Sequence, residues 1–209
     1  MRPIVGIFGG TFDPVHYGHL RTVAETANAL TFEQVVVVPC GIPYHRDPPV
    51  ASPRERLDMV RLAVQENPMF VVDDREVASG CPCYSVVMLS ALRRERPDRT
   101  FCLIIGRDSF LTITRWYEWP RLFDLGHVVV MSRPDTDGGP DPELWRYARR
   151  LLSPDELSER RSGGVLEHAV CPQSLSASEV RRAAAAGRPL YDMVPPAVAG
   201  YINAHHLYL

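Results

Sequence analysis

The sequence predicts an α/β fold built on a doubly wound parallel sheet. Short apolar runs alternate with longer amphipathic stretches along most of the 209 residues. Several runs are apolar nearly throughout, as expected for strands covered on both faces. Strand followed by helix, repeated, implies right-handed crossovers between parallel strands. The predicted strands are residues 4–8, 34–39, 70–73, 101–105, 127–131 and 165–170.

Helices are predicted between these strands and after the last one. The best marked starts at residues 52–55, where Ser-Pro-Arg-Glu combines capping-box spacing with proline at the first helical position. Residues 178–186 and 196–205 are predicted as two helices of a small C-terminal subdomain. We therefore predict a core of residues 1–174 and a helical subdomain of residues 175–209 that packs on it as a single structural unit. The other predicted helices are residues 18–30, 53–67, 85–95, 119–125 and 142–151.

The charge balance argues against nucleic acids or anionic membranes as partners. Lys and Arg total 23 against 25 Asp and Glu, a formal net charge of -2, so no global positive field surrounds the protein. The sequence contains neither a signal peptide nor a run of about 18 apolar residues. We expect a cytoplasmic protein, and the sequence leaves its oligomeric state open, a homo-oligomer included.

The five cysteines are predicted to be reduced thiols, because their number is odd and they are scattered along the chain. Cys81 and Cys83 form the one close pair, and they lack the Cys-x-x-Cys spacing of zinc and thioredoxin-like sites. Cys102 lies in an apolar run and is expected in the core. The sequence therefore predicts no metal site made by the protein.

The loop after the first strand carries the residues best suited to bind an anion. Gly9 and Gly10 leave backbone amides open to a ligand, although the loop is neither a P-loop nor a dinucleotide-binding fingerprint. His16 and His19 are three residues apart at the start of the next helix, so they share a face at its positive end. Imidazoles there can donate hydrogen bonds to phosphate oxygens. The alternatives are surface histidines or a zinc pair, and no third ligand at metal spacing supports the latter.

Residues 9–20, Gly-Gly-Thr-Phe-Asp-Pro-Val-His-Tyr-Gly-His-Leu, resemble the signature of nucleotidyltransferases that carry a His-x-Gly-His motif. That group is related in fold to class I aminoacyl-tRNA synthetases, so the resemblance implies a Rossmann-like fold. In detail the stretch is similar to bacterial nicotinate-nucleotide adenylyltransferases. Further elements resemble that family in the same order, at residues 43–46, 83–85, 105–108, 115–117 and 175–181.

The resemblance implies an enzyme of NAD biosynthesis that transfers AMP from ATP to nicotinate mononucleotide and releases pyrophosphate. Mg²⁺ is expected to accompany ATP, with no ligand cage supplied by the protein. Catalytic roles are implied for His16, His19 and Arg181. The ATP-binding residues that it implies are Gly9, Gly10, Thr11, Phe12, His16, His19, Gly106, Asp108, Ser176, Ser178 and Arg181. The implied residues for nicotinate mononucleotide are His45, Arg46, Tyr84, Ser85 and Trp116.

Each implied role has a structural alternative. Asp108 can be a helix N-cap rather than a ribose ligand. Arg181 can be an exposed helix arginine, as Arg182 is expected to be, although the serines before it supply a helix N-terminus for anions. Trp116 is expected to stack on the pyridine ring, and Trp119 is expected to be the structural tryptophan.

The chain departs from the family pattern at four positions. Tyr44 replaces a common proline, Ser85 and Ser178 replace threonines, and Glu179 places an acid beside the phosphate site. The serines keep the hydroxyl group. Tyr44 and Glu179 leave the acceptor side less well defined.

Other functions remain open at this point. The acceptor can be nicotinamide mononucleotide or phosphopantetheine, whose adenylyltransferases open with a similar motif. A non-catalytic nucleotide-binding module is the alternative from another class, but loss of the histidines would be expected for it. A tRNA synthetase is excluded by size and by the lack of a basic surface. An oxidoreductase is less well supported than these alternatives, because the dinucleotide fingerprint is missing.

Overall fold

The computed structural model describes residues 2–43, 48–132 and 139–209. Within them the strands form a seven-stranded parallel sheet, flanked by helices, in the order β3-β2-β1-β4-β5-β7-β6. The order changes direction at β1, as in doubly wound sheets, so the predicted fold class is confirmed. The strands are β1 (Ile4–Gly10), β2 (Gln34–Pro39), β3 (Phe70–Val72), β4 (Thr100–Gly106), β5 (His127–Ser132), β6 (Arg149–Arg150) and β7 (Gly164–Ala169).

The helix α2 shows how local sequence sets an element's start. Ser52 accepts a hydrogen bond from the Glu55 N–H (3.3 Å), and the Glu55 carboxylate accepts one from the Ser52 N–H (2.7 Å). This is the predicted capping box, and it fixes the start at Pro53. The helices are α1 (Tyr17–Ala29), α2 (Pro53–Val64), α3 (Arg75–Ser79), α4 (Ser85–Glu95), α5 (Arg107–Leu111), α6 (Leu122–Leu125), α7 (Asp155–Glu159), α8 (Ala177–Ala185) and α9 (Pro196–Ala204). Short 3-10 helices cover Ile113–Arg115, Trp119–Arg121 and Pro142–Arg146.

The chain divides into two compact units. The first unit comprises Met1–Phe8, Glu25–Val35 and Tyr84–Pro172. The second unit comprises Gly9–Ala24, Val36–Cys83 and Gln173–Leu209. The predicted boundary between residues 174 and 175 stays a prediction.

The core of the first unit is the sheet around β4. This strand pairs in parallel with β1 and β5, and β5 pairs in parallel with β7. Every residue of β4 except Gly106 is buried, which matches its nearly unbroken apolar sequence. Cys102 lies there at 0% exposure, as predicted, and burial raises the pKa of its thiol.

The second unit brings the C-terminal helices against the first helices of the chain. The helix α9 packs on α2, and the Tyr17 N–H at the start of α1 donates to the Met193 carbonyl oxygen (2.9 Å). Val198 and Ile202 are the buried residues of α9. The two predicted C-terminal helices are therefore present and tied to the start of α1 and to α2.

The predicted helix over residues 142–151 is wrong in its second half. A 3-10 helix covers Pro142–Arg146, and Arg149–Arg150 then forms the edge strand β6. The Arg149 N–H donates to the Gly163 carbonyl oxygen (2.8 Å), and β6 pairs in parallel with β7. Tertiary pairing thus replaces the helix that the local pattern favours.

The sequence pattern also missed the short helices α3, α5 and α7, each of five residues. One helical turn or so is too short to show a period of 3.6 residues. None of the helices in the described segments has both the length and the apolar composition needed to span a bilayer.

Candidate active site

The two histidines of the first loop lie together at the start of α1, in the second unit. Their rings stack with centroids 3.7 Å apart and planes 22° from parallel, so the predicted shared face is present. The His16 carbonyl oxygen accepts from the His19 N–H (3.0 Å), so His16 occupies the position before the helix. Phe12 meets the His19 ring edge-on at 5.3 Å. This packing leaves the imidazoles little rotational freedom.

Burial keeps both imidazoles neutral. His16 is 4% exposed, and burial lowers its pKa to about 4 although Glu179 opposes the shift. Burial, together with the neighbouring His16, lowers the pKa of His19 to about 3. Among the described residues, the buried Nδ1 of His16 has no hydrogen-bond partner. A buried polar atom without a partner is costly unless a ligand supplies one.

These pKa values predict that acid destabilises the fold below neutral pH. The unfolded chain takes up protons at His16 and His19 near pH 6.5, whereas the folded chain does so only near pH 4 and 3. Their contribution is therefore complete above pH 6.5 and is lost as the pH falls toward 4, at about 1.4 kcal/mol per pKa unit. Urea unfolding between pH 7.5 and 4.5 checks this. The variant with both histidines replaced by asparagine should lose stability less steeply, and an equal slope would contradict the assignment.

The glycines of this loop make room for the protein's own rings. A Cβ on Gly10 would lie 2.8 Å from the Phe12 ring, and one on Gly18 would lie 2.9 Å from Nδ1 of His16. Phe12 itself has φ of 53°, which is uncommon outside glycine. Gly9 has space around it, since its nearest neighbour would be the Val38 carbonyl oxygen at 3.9 Å. The predicted open approach to the backbone thus fits Gly9, whereas Gly10 leaves room for the Phe12 ring.

Asp13 anchors the loop, a role that the sequence analysis did not assign. Its carboxylate accepts from the Val50 N–H (2.8 Å), the Ala51 N–H (3.0 Å) and the Tyr208 hydroxyl (2.9 Å). The residue is 7% exposed. Asp13 therefore connects the loop after β1 to the segment before α2 and to the C-terminus.

Arg181 reaches this loop from the middle of α8. Its Nη1 donates to the Asp13 carbonyl oxygen (2.6 Å), and its Nη2 donates to the Ser178 hydroxyl (3.3 Å). Its side chain is 31% exposed, so it is neither buried nor a free surface arginine. A guanidinium has five N–H donors, so these bonds leave others for a phosphate.

Ser176 and Glu179 explain one departure from the family pattern. Ser176 caps α8, and the Glu179 carboxylate accepts from the Ser176 N–H (2.7 Å) and hydroxyl (2.8 Å). The hydrogen bonds from Ser176 lower the pKa of Glu179. Glu179 is thus a capping-box residue that stabilises the helix start.

Arg56 is a second residue that sequence reasoning missed. It is 0% exposed and donates to four backbone carbonyl oxygens, those of Thr11 (2.6 Å), Cys40 (2.6 Å), Gly41 (2.8 Å) and Ala51 (3.2 Å). Burial lowers its pKa from the ordinary value. Nothing in its helical context distinguishes Arg56 from the exposed arginines of α2, so only the tertiary structure identifies it.

The predicted residues of the first unit form a separate group. Gly106 ends β4 and takes the N-cap position of α5, so Asp108 is not the N-cap. Asp108 is exposed in the first turn of that helix. An exposed carboxylate there can accept hydrogen bonds from ribose hydroxyls.

Tyr84 lies beside the segment that carries Trp116. The rings of Tyr84 and Tyr117 are 4.7 Å apart, and Ser85 is the first residue of α4. Trp116 is half-buried and follows the 3-10 helix Ile113–Arg115. Trp119 packs edge-on against Phe123 and Tyr147, consistent with its predicted structural part. The predicted ligands His45 and Arg46 lie outside the described residues.

The second unit thus contains a glycine-containing loop, paired imidazoles and the Arg181 guanidinium, groups that are suited to bind phosphates. The cytidylyltransferase-like family model matches residues 7–183. The chain therefore belongs to the cytidylyltransferase-like family.

Within that family the most informative relatives are nicotinate-nucleotide adenylyltransferases. The chain is 42% identical to a probable nicotinate-nucleotide adenylyltransferase of Acidithiobacillus ferrooxidans, over 97% of this chain and 94% of the relative. It is 38% identical to the protein of that name from Pectobacterium atrosepticum, over the full length of both. This similarity confirms the family resemblance and the enzyme class that the sequence analysis predicted.

Solved structures share the fold. The nicotinic acid mononucleotide adenylyltransferase of Plasmodium falciparum, complexed with APC, matches with a TM-score of 0.72 over 99% of this chain and 97% of that one. The complex of the same protein with NaAD gives the same TM-score. Sequence identity is 17% in both cases, so the match concerns the fold alone.

Proposed function

We propose that the chain transfers AMP from ATP to nicotinate mononucleotide, giving nicotinate adenine dinucleotide and pyrophosphate. The acceptor phosphate oxygen forms a bond to the α-phosphorus of ATP, and the bond from that phosphorus to the bridging oxygen breaks. The observation that carries the proposal is the stacked pair His16 and His19 at the start of α1, in a chain with full-length similarity to nicotinate-nucleotide adenylyltransferases.

The histidines act as neutral donors toward the triphosphate. Their lowered pKa values leave each imidazole with one N–H at neutral pH. Negative charge grows on the bridging oxygen as pyrophosphate leaves, and fixed donors stabilise that charge without reorganising. The ring stacking supplies the fixed orientation.

Arg181 supplies the positive charge on the pyrophosphate side. It is held by Asp13 and Ser178, and it lies in the helix whose start is capped by Ser176. A helix start and a guanidinium both favour anions. Because phosphoryl transfer depends on positioning and charge neutralisation, no covalent nucleophile is needed.

Mg²⁺ enters this proposal with ATP and neutralises charge on its phosphates. The loop offers no spare carboxylate for a protein-held ion, because Asp13 already accepts from Val50, Ala51 and Tyr208. The donor set therefore fits an ion held by phosphates and water. The chain itself contributes the imidazoles of His16 and His19 and the guanidinium of Arg181, which bind the same triphosphate.

The acceptor ring is assigned to the first unit. Trp116 offers a half-buried aromatic face, and the start of α4 offers backbone N–H groups at Ser85 for the ring carboxylate. Tyr84 and Tyr117 pack together beside them. Asp108 is assigned to the ribose of ATP.

Pyrophosphate release with MgATP and three acceptors in parallel tests the proposal. The acceptors are nicotinate mononucleotide, nicotinamide mononucleotide and phosphopantetheine. We expect kcat/KM to be highest with the nicotinate compound. A Trp116→Ala variant should raise KM for that acceptor more than KM for ATP, and Tyr191→Ala, at a 73% exposed position, is the control.

Each other outcome changes the assignment. Release with phosphopantetheine alone would keep the chemistry and overturn the acceptor pocket. A preference for nicotinamide mononucleotide would contradict the proposal that the start of α4 binds the ring carboxylate. Silence with all three would favour a nucleotide-binding module.

A further inference from the structure

The structure brings together three potential metal ligands that lie far apart in sequence. The ligand atoms of Cys40, Glu76 and Cys83 are all within 4.8 Å of one another. Cys40 follows β2, Glu76 lies in α3, and Cys83 comes just before α4. All three side chains are half-buried within the second unit.

Hydrogen bonds hold the segments of Cys40 and Cys83 together. The Gly41 N–H donates to the Cys83 sulfur (3.2 Å), and the Cys83 N–H donates to the Ile42 carbonyl oxygen (3.3 Å). The Cys40 N–H donates to the Gly10 carbonyl oxygen (2.9 Å). The position of each cysteine is therefore fixed by its own backbone.

Gly41 also holds the cluster closed on the side of α3. A Cβ there would lie 2.3 Å from the Glu76 carbonyl oxygen, so the two backbones are in direct contact. Only glycine permits this approach. Cys40 is thereby kept next to Glu76, which the chain reaches 36 residues later.

Two arginines lie close to the cluster. Arg75 pairs with Asp73 at 2.7 Å, and Arg56 donates to backbone carbonyl oxygens, including that of Cys40 (2.6 Å). Both guanidinium groups also act electrostatically on the cluster, Arg75 on Glu76 and Arg56 on Cys40. The feature that suits a metal ion is therefore the convergence of two thiols and a carboxylate on one point.

We propose that Cys40, Glu76 and Cys83 bind one Zn²⁺ ion. Zinc takes thiolate sulfurs at about 2.3 Å and carboxylate oxygens at about 2.0–2.2 Å in tetrahedral geometry. Two sulfurs on one tetrahedral ion lie roughly 4 Å apart, so small side-chain rotations bring the three groups onto a common ion. Thiolate ligands select zinc over the Mg²⁺ that accompanies ATP. The fourth position is left to water.

Alkylation of the unmodified full-length protein tests the site. The protein is reduced, stripped of metal with a chelator, and treated with iodoacetamide with or without Zn²⁺, and each cysteine is followed by peptide mass mapping. Zinc at about ten times its dissociation constant should slow alkylation of Cys40 and Cys83 about tenfold. Cys81 and Cys171 are exposed and serve as internal controls whose rates should not change.

Cobalt binding gives a second measurement. One equivalent of Co²⁺ should produce a thiolate-to-metal charge-transfer band that Zn²⁺ abolishes. Cys83→Ser should lose the band, whereas Cys81→Ser, two residues away, should keep it. If Cys83→Ser fails to fold, the alkylation rates of the unmodified protein still decide.

Three results would overturn the site. They are unchanged alkylation of Cys40 and Cys83 in zinc, equal protection of Cys81 and Cys171, or a cobalt band that survives Cys83→Ser. None of these readouts requires adenylyl transfer, so they separate the zinc site from the proposed reaction.

Discussion

His19→Ala is expected to lower kcat at least tenfold while the protein stays folded. Removing one preorganised donor to a transition-state oxyanion costs about 10²–10³ in rate, and His19 is held by stacking on His16 at 3.7 Å and by Phe12 at 5.3 Å. Because the bond strengthens as charge develops, kcat and kcat/KM for ATP should fall together. Steady-state pyrophosphate release with nicotinate mononucleotide measures both constants.

The control tests whether the loss of a stacked histidine away from the first loop also lowers turnover. His205→Ala removes an exposed histidine that stacks on Tyr201 in the C-terminal helix, and turnover should be unchanged. Circular dichroism and the urea midpoint show whether His19→Ala is folded. Near-normal turnover of a folded His19→Ala would remove the catalytic role from the pair. A rise in KM alone would show uniform binding rather than transition-state stabilisation.

The sheet could be predicted because its signal is local. Buried parallel strands such as β2 and β4 consist of nearly unbroken apolar runs. The capping box at Ser52 sets the start of α2. Edge strand β6 is two arginines whose strand conformation comes from pairing with β7. No local pattern encodes that pairing, and the helix predicted there was wrong for this reason.

In the candidate site, too, the local features could be predicted from the sequence and the long-range contacts could not. His16, His19 and Gly18 stand in one short motif, and their spacing along a helix start dictates that the imidazoles meet. Asp13 is in the same motif, but its partners Val50, Ala51 and Tyr208 are far along the chain. Its anchoring role therefore depends on the tertiary fold, and sequence spacing does not encode it.

The cysteine cluster is the clearest case of long-range assembly. Spacing along the chain drew attention to Cys81 and Cys83, whereas the fold places Cys83 with Cys40 and Glu76. The contact depends on a glycine at position 41 that lets two backbones touch. Metal-ligand patterns read along a sequence detect ligands on one hairpin or helix, and they miss ligands that three segments contribute.

Arg56→Met is expected to lower the free energy of unfolding by about 3–5 kcal/mol. The guanidinium is 0% exposed and satisfies carbonyl oxygens from the first loop, the segment after β2 and the segment before α2. Methionine fills much of the volume but donates nothing, so buried carbonyl groups lose their partners. Arg56→Lys should recover only part of the loss, because one ammonium cannot reach all four acceptors.

Urea unfolding of Arg56→Met against Arg54→Met measures this effect. Arg54 is on the same helix with a 72% exposed side chain and pairs with Asp58, so its loss should cost no more than about 0.5 kcal/mol. Since Arg56 holds the Thr11 carbonyl at 2.6 Å, folded Arg56→Lys should also bind ATP more weakly than the unmodified protein. Equal stability of the two methionine variants would mean that water replaces the guanidinium. That result would mean that Asp13 and its three hydrogen-bond donors, rather than Arg56, hold the first loop in its conformation.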